Sequence, residues 1–186
     1  MNTFFRTSNF GPFTIRQATP GDATAVIELL KGVAKRLHER GINQWEFLLR
    51  DEEDSEIVAA IDRGVSYIVT DGNSLVATFN LTNKQNAWDQ TLWGAPNEEN
   101  AFYIHRLAVH SDYTGRGIGR DLLLWFEENI NAESGLLRLD CIANNPVLNT
   151  FYKQTGFQYI GQALAEGDSF SLYEKQLPRT SNVKSR

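Results

Sequence analysis

The chain has a single cysteine, Cys141, in 186 residues. An intramolecular disulfide and a cysteine-rich zinc cluster are therefore both excluded, and the thiol content gives no sign of an oxidising compartment. Histidine is scarce as well, and neither His38 nor His110 has the spacing of a metal ligand. Long apolar runs are missing: none exceeds residues 122–126, far short of the roughly 20 residues that a membrane helix needs. Residues 1–12 mix Asn, Thr, Ser and Arg with Phe and lack the apolar stretch and small-residue cleavage site of an export signal, so a cytoplasmic protein is expected. Basic residues are in deficit, 18 Lys and Arg against 23 Asp and Glu, for a net charge of -5. That sign disfavours sequence-independent nucleic-acid binding and attachment to anionic membranes. The length suits one domain, able to bury roughly 70% of the unfolded chain's surface without staples. Neither repeats nor a linker interrupt it, so we expect a single domain at 13–177, an N-terminal lead at 1–12 and a flexible polar tail at 178–186.

What is present is a regular alternation of strand and helix patterns. Residues 13–17 alternate apolar and polar, and Thr19-Pro20-Gly21-Asp22 then supplies a hydroxyl cap, a proline at the first helical position and an acid three residues past the cap. Val26, Leu29, Leu30, Val33 and Leu37 follow at helical spacing, with Gly41 after a basic last turn. A shorter helix is predicted over 55–63, and a hairpin over 65–70 and 75–81 around Asp71-Gly72-Asn73-Ser74. The polar stretch 82–100, with Trp88 and Trp93, reads as a long loop pinned by aromatics. A strand at 102–109, a helix at 118–131, a strand at 136–143, a helix at 146–154 and strands at 157–160 and 170–177 complete a mixed α/β (α+β) domain.

The most informative segment is Val109-His110-Ser111-Asp112-Tyr113-Thr114-Gly115-Arg116-Gly117-Ile118-Gly119-Arg120. Three alternating glycines between a strand and a helix let backbone N–H groups converge at a helix N-terminus with no Cβ in the way, which makes an anion cradle. Arg116 and Arg120 add charge there, so a phosphate or pyrophosphate suits it. A glycine-rich surface turn is the plainest alternative. A dinucleotide-binding fingerprint fits less well, because position 120 is arginine where the third glycine belongs and five residues separate the strand from Gly115. No GxxxxGK[ST] motif occurs.

The segment Tyr103-Ile104-His105-Arg106-Leu107-Ala108-Val109 followed by Thr114-x-x-Gly117-x-Gly119 resembles motif A of the GNAT superfamily of acyl-CoA-dependent N-acyltransferases. Asn145-Pro146-Val147-Leu148-Asn149-Thr150-Phe151-Tyr152, then Gly156-Phe157, resembles its motif B. The resemblance implies a GNAT-like mixed sheet, split between its fourth and fifth strands, with helices on both faces and coenzyme A wedged into the split. By it, Leu107, Ala108 and Val109 meet the pantetheine arm, the amides of Gly115, Arg116, Gly117, Ile118, Gly119 and Arg120 hold the pyrophosphate, and Asn145 touches the arm while capping its helix. Thr114 stands where the family usually has Gln or Arg, which shifts side-chain work to Arg116 and Arg120. Arg106, Arg138 and Lys153 are expected to add to this basic cluster.

The chemistry implied is attack of an amine on an acetyl thioester. Such attack needs a free lone pair, a stabilised oxyanion and an acid for the departing thiolate. The resemblance assigns the oxyanion to a strand amide near Val109 and the acid to Tyr152, whose phenol is protonated at neutral pH. Outside that resemblance, Tyr152 reads as a packed core aromatic. Some relatives carry a Glu base where Tyr103 stands. The remaining candidates are His105 on the same strand face, with a suitable pKa, and Glu98 and Glu99 through water. Cys141 reads as core, and the acidic run 51–54 as solvated charge or a lure for a cationic amine. The expected activity is transfer from acetyl-CoA to a small amine, peptide N-terminus or lysine, with 41–45, the Trp88 and Trp93 region and 162–170 around the acceptor. No metal is implied, and either a monomer or a homodimer is compatible. A non-catalytic acyl-CoA-binding or regulatory module on the same scaffold is the alternative, against which Tyr152 argues.

Overall fold

The computed structural model describes residues 4–51, 53–96 and 100–178. In chain order the elements are β1 (Asn9–Phe10), β2 (Phe13–Gln17), α1 (Ala23–Glu39), α2 (Asp54–Asp62), β3 (Ser66–Asp71), β4 (Ser74–Thr82), α3 (Ala87–Trp93), β5 (Ala101–Val109), α4 (Ile118–Asn129), β6 (Gly135–Ile142), α5 (Pro146–Gln154), β7 (Gln158–Ala165) and β8 (Asp168–Leu177). The strands form one mixed sheet in the order β1-β2-β3-β4-β5-β6-β8-β7. Among these neighbours only β5 and β6 run parallel.

The start of α1 follows its sequence signals. The Asp22 carboxylate accepts from the Thr19 N–H at 2.7 Å and the Thr19 hydroxyl at 2.8 Å. It also takes two hydrogen bonds from Arg16, whose guanidinium holds the Asp22 carboxyl well below the usual carboxylate range. α1 and α2 place Val26, Leu29, Leu30, Ala34, Ile57 and Ile61 against Ile68 and Ala108 on one face of the sheet. The opposite face carries the larger core, in which Ile118, Leu122 and Phe126 of α4 and Tyr152 of α5 meet Phe79, Phe102, Ile104, Leu137, Leu139 and Tyr173. The N-terminal lead joins this core: the Phe5 ring lies 5.2 Å from Tyr67 and 4.7 Å from Trp125. Its residues 1–3, like the tail residues 179–186, lie outside the described residues. Among the described residues no helix is long and apolar enough to cross a membrane.

Two expectations need correction. The stretch 82–100 is not a continuous loop, because α3 forms within it. Asn86 caps α3 by accepting from the Asp89 N–H at 2.8 Å, and the Asp89 carboxylate accepts from the Asn86 N–H at 3.1 Å. This reciprocal pair, Asn-x-x-Asp, was the signal for a helix start in a segment otherwise dominated by loop-forming residues. The last hairpin is also longer than expected, since β7 continues through Ala165 and turns at Glu166 and Gly167, both with positive φ (52° and 88°).

β5 and β6 pair only at Ala101, Phe102 and Tyr103, opposite Leu136, Leu137 and Arg138, and then part. The split between the fourth and fifth predicted strands is thus present, one number later because β1 precedes them. A bulge in β5 against β4 lies just beyond, where Arg106 adopts φ 51° and the register shifts between Thr78 and Asn80. Such a bulge bends its strand and advances the side-chain alternation by one residue. Ile104 therefore faces the α4 side, while Ala108 packs with α1.

Candidate active site

The open side of the split is bounded at one end by the glycine loop. Gly115 and Gly117 take φ values of 76° and 77°, which disfavour any residue with a Cβ, although a Cβ there would meet no protein atom within 4 Å. Gly117 caps α4 without a side-chain hydrogen bond, and the first backbone bond across the cap runs from the Asp121 N–H to the Gly117 carbonyl. The N–H groups of Ile118, Gly119 and Arg120 therefore emerge at a positive helix end free for an anion. A Cβ on Gly119 would rest in ordinary contact with Phe151 and Val109, so the chain itself does not demand glycine there. On β5, the His110 N–H donates to the Val76 carbonyl of β4 at 2.8 Å, so by strand alternation the Val109 N–H is turned away from β4, toward the split.

Thr114 and Arg116 serve the loop itself. The Thr114 hydroxyl donates to the Ser111 carbonyl at 2.8 Å. Arg116 donates to the Asp112 carbonyl at 2.9 Å and lies 4.9 Å over the Tyr113 ring. The expected basic cluster is not assembled. Arg106 turns to Glu53 at 2.9 Å on the α2 side, and Arg138 is buried against Glu174 at 2.8 Å and 4.8 Å over the Trp93 ring. Lys153 lies 5.5 Å over the Tyr159 ring. Burial draws the Arg106 guanidinium down despite its partner. Arg120 is exposed at the mouth. Leu107 is half-buried beside the α4 core.

Asn145 caps α5 by accepting from the Leu148 N–H at 3.1 Å. Its residue is fully buried, and its Nδ2 has no hydrogen-bond partner. An amide donor left unpaired in a buried position costs about 1–3 kcal/mol. A polar ligand in the split would recover that cost. The free helix-end amides and this orphaned donor together fit coenzyme A.

Tyr152 is buried at 8% exposure, with ring contacts to Tyr173 at 5.6 Å and Phe151 at 5.4 Å. No described residue hydrogen-bonds its hydroxyl. Burial pushes the phenol well above its ordinary value, so it is protonated at any neutral pH. The same burial raises the pKa of any thiolate beside it, which preserves the driving force for proton transfer. Cys141 is core as expected, its thiol pushed up to about 12 by burial and by Asp140.

The opposite face of the split is built by a group that the loop assignment of 82–100 concealed. The pairing of Tyr103 with Arg138, continued by two residues, sets His105 across from Asp140 where the strands have parted. α3 covers both. Nε2 of His105 lies 3.1 Å from Oδ1 and 3.3 Å from Oδ2 of Asp89, which is wholly buried. Trp88 Nε1 donates to Asp140 at 3.4 Å, and the Trp88 ring meets Phe170 edge-on at 4.9 Å. Burial raises the Asp140 carboxyl to about 6, against the opposing pull of His105 and Trp88. Tyr103 spends its hydroxyl as the acceptor of hydrogen bonds from Gln85 and Arg138. Glu98 and Glu99 lie outside the described residues. The described acids of the run 51–54 are paired, Asp51 and Asp54 with Lys31 and Glu53 with Arg106.

Comparison with known proteins follows the same lines. The profile of the Acetyltransferase (GNAT) family matches residues 30–157, more than half of the chain. The uncharacterized N-acetyltransferase YesJ of Bacillus subtilis (strain 168) is 34% identical over 157 residues, covering 84% of this chain and 86% of its own. A GNAT-family acetyltransferase structure from Listeria monocytogenes 4b F2365 is 28% identical with a TM-score of 0.71, over 89% of this chain and 95% of that one. The PaiA N-acetyltransferase of Thermoplasma acidophilum, solved in complex with coenzyme A, shares the fold at a TM-score of 0.63 and 19% identity, over 88% of this chain and 98% of that one.

Proposed function

Because the chain belongs to the GNAT acetyltransferase family and is an acyltransferase, we propose that it moves an acetyl group from acetyl-CoA to a primary amine by direct attack in a ternary complex. The acceptor is a small molecule, a peptide N-terminus or a lysine. The catalytic unit is the domain 13–177, as a monomer or homodimer, and the buried free thiol of Cys141 suits a reducing, cytoplasmic location.

The parting of β5 and β6 after three residue pairs carries this reading. It opens a slot with anion-binding amides at one end, an unpaired amide donor at Asn145, and an imidazole and a phenol brought in from opposite faces. Acetyl-CoA supplies the activated thioester carbonyl. The amides of residues 118–120 bind the pyrophosphate, with Arg120 beside them, and the Asn145 Nδ2 donates to the pantetheine arm. The Val109 N–H is directed toward the charge that develops on the carbonyl oxygen. His105 takes a proton from the attacking amine as the C–N bond forms, and Tyr152 gives one to the thiolate as the C–S bond breaks. Solvent then returns Tyr152 and His105 to their starting states.

The test is calorimetric titration with acetyl-CoA, followed by a free-thiol assay across polyamines, arylalkylamines, aminoglycosides and peptides with free N-termini or lysines. Binding with thiol release on at least one amine is expected, and Tyr152→Phe should lower kcat by about a hundredfold with acetyl-CoA affinity unchanged. Tight binding without release across the whole panel would favour a non-catalytic acyl-CoA-binding module instead.

A further inference from the structure

His105 is more than an isolated imidazole on a strand. Its Nε2 lies within 3.3 Å of both carboxylate oxygens of Asp89, which belongs to a different element and is 0% exposed. A helix-capping acid on a surface turn has no need of such burial. The reciprocal cap with Asn86 uses only one side of the carboxylate, through Oδ2. Oδ1 is buried with no hydrogen bond in good geometry, and His105 Nε2 lies 3.1 Å from it. A buried carboxylate is tolerated when a donor faces it, and here that donor is the His105 N–H.

We infer that Asp89 is the positioning residue for His105: its carboxylate fixes the imidazole as the Nε2–H tautomer, leaving the Nδ1 lone pair to receive the proton of the attacking amine. This rests on the proposed role of His105 as the proton acceptor. When Nδ1 takes the proton, the cation that forms stands beside the Asp89 carboxylate, which stabilises it without changing its own protonation. The other charged and titratable groups around the ring are accounted for. Asp140 of β6 faces it across the split and is hydrogen-bonded by Trp88. Tyr103 and Arg138, one step down the same face, hydrogen-bond each other. Arg106 is turned to Glu53. On β4 the residue opposite His105 is the uncharged Asn80.

The experiment uses long-range 1H–15N NMR on the full chain, labelled at histidine and saturated with coenzyme A, with His105 assigned by comparison with His105→Gln. The neutral form of His105 should be the Nε2–H tautomer, with Nδ1 unprotonated. With the fastest amine of the panel, Asp89→Asn should lose about tenfold to a hundredfold in kcat, with acetyl-CoA affinity retained. Asp89→Glu, which keeps both the charge and the capping acid, should recover most of the wild-type kcat. The Nδ1–H tautomer in the wild type overturns the inference whether or not Asp89→Asn folds. So does a folded Asp89→Asn with unchanged kcat, when His105→Gln is impaired. Full turnover by His105→Gln would instead overturn the proton-acceptor reading on which the inference stands.

Discussion

The glycine loop at residues 114–120 and helix α3 both border the split between β5 and β6, yet they are made of opposite materials. The loop works through its backbone. Its polar side chains, Thr114 and Arg116, are spent on its own carbonyls, while the ligand-facing groups are amides that any sequence would have, exposed by two residues at positive φ. α3 works through side chains: Trp88 and Asp89 reach Asp140 and His105 across the sheet, and its backbone serves only to hold them. A backbone site recognises charge with little dependence on side chains, whereas a side-chain wall depends on each residue in it. On the proposed reading, the loop holds the donor and α3 borders the acceptor and its proton.

Substitution on the loop side gives the largest expected separation. Gly117→Val forces a β-branched residue to φ 77°, at a cost of roughly 1–2 kcal/mol before any ligand is considered. Coenzyme A affinity by calorimetry should drop at least about tenfold while the His105 NMR signals stay in place. Movement of those signals would break the division of labour.

The next effect belongs to the α3 wall. The Asp140 carboxyl titrates near 6 in the folded chain, above its ordinary value of 3.8, because burial disfavours the charge. The folded state therefore holds that proton more tightly than the unfolded state. The resulting stabilisation is fully present below about pH 4 and is lost as pH rises through about 6. Asp140→Asn keeps an acceptor for Trp88 and should be more stable than wild type at pH 7 by on the order of 1–3 kcal/mol, with the difference vanishing below pH 4. Denaturant melts across that range measure it, and parallel curves for the two proteins would contradict the buried carboxylate.

The smallest effect tests whether Asn145 belongs with the donor half. Asn145→Ser keeps a capping oxygen for α5 but removes the Nδ2 donor. We expect coenzyme A to bind about three- to tenfold more weakly, the equivalent of one lost hydrogen bond, with the melting temperature nearly constant. An unchanged affinity would assign Asn145 to the cap alone.

These differences follow how each region is encoded. The loop and the α5 cap were legible because each signal lies within a dozen residues and concerns φ preference or helix entry, whereas Tyr152 was singled out by the family resemblance alone. The His105 partner was not legible. Asp89 reaches it only because α3 folds back over the sheet, and Asn86 and Asp89 sit in a segment whose composition otherwise favours a loop. The basic residues were misplaced for a related reason: the partners of Arg106 and Arg138 are 53 and 36 positions away, so their charges could not be known to be committed. The bulge at Arg106 compounds this, because one extra residue inverts which side chains enter the split beyond it.

The net charge of -5 and the deficit of basic residues disfavour polyanionic partners, and the strand and helix periods point to a mixed sheet with a glycine cradle; both are set by composition and by preferences local to a few residues. Tertiary structure decided the rest: that β5 and β6 separate after Tyr103, that His105 then faces Asp140 beneath α3, and that Asp89 meets its imidazole. Those contacts depend on strand register and on packing between elements far apart in the chain, where the burial of a charge is acceptable only if its partner arrives with it.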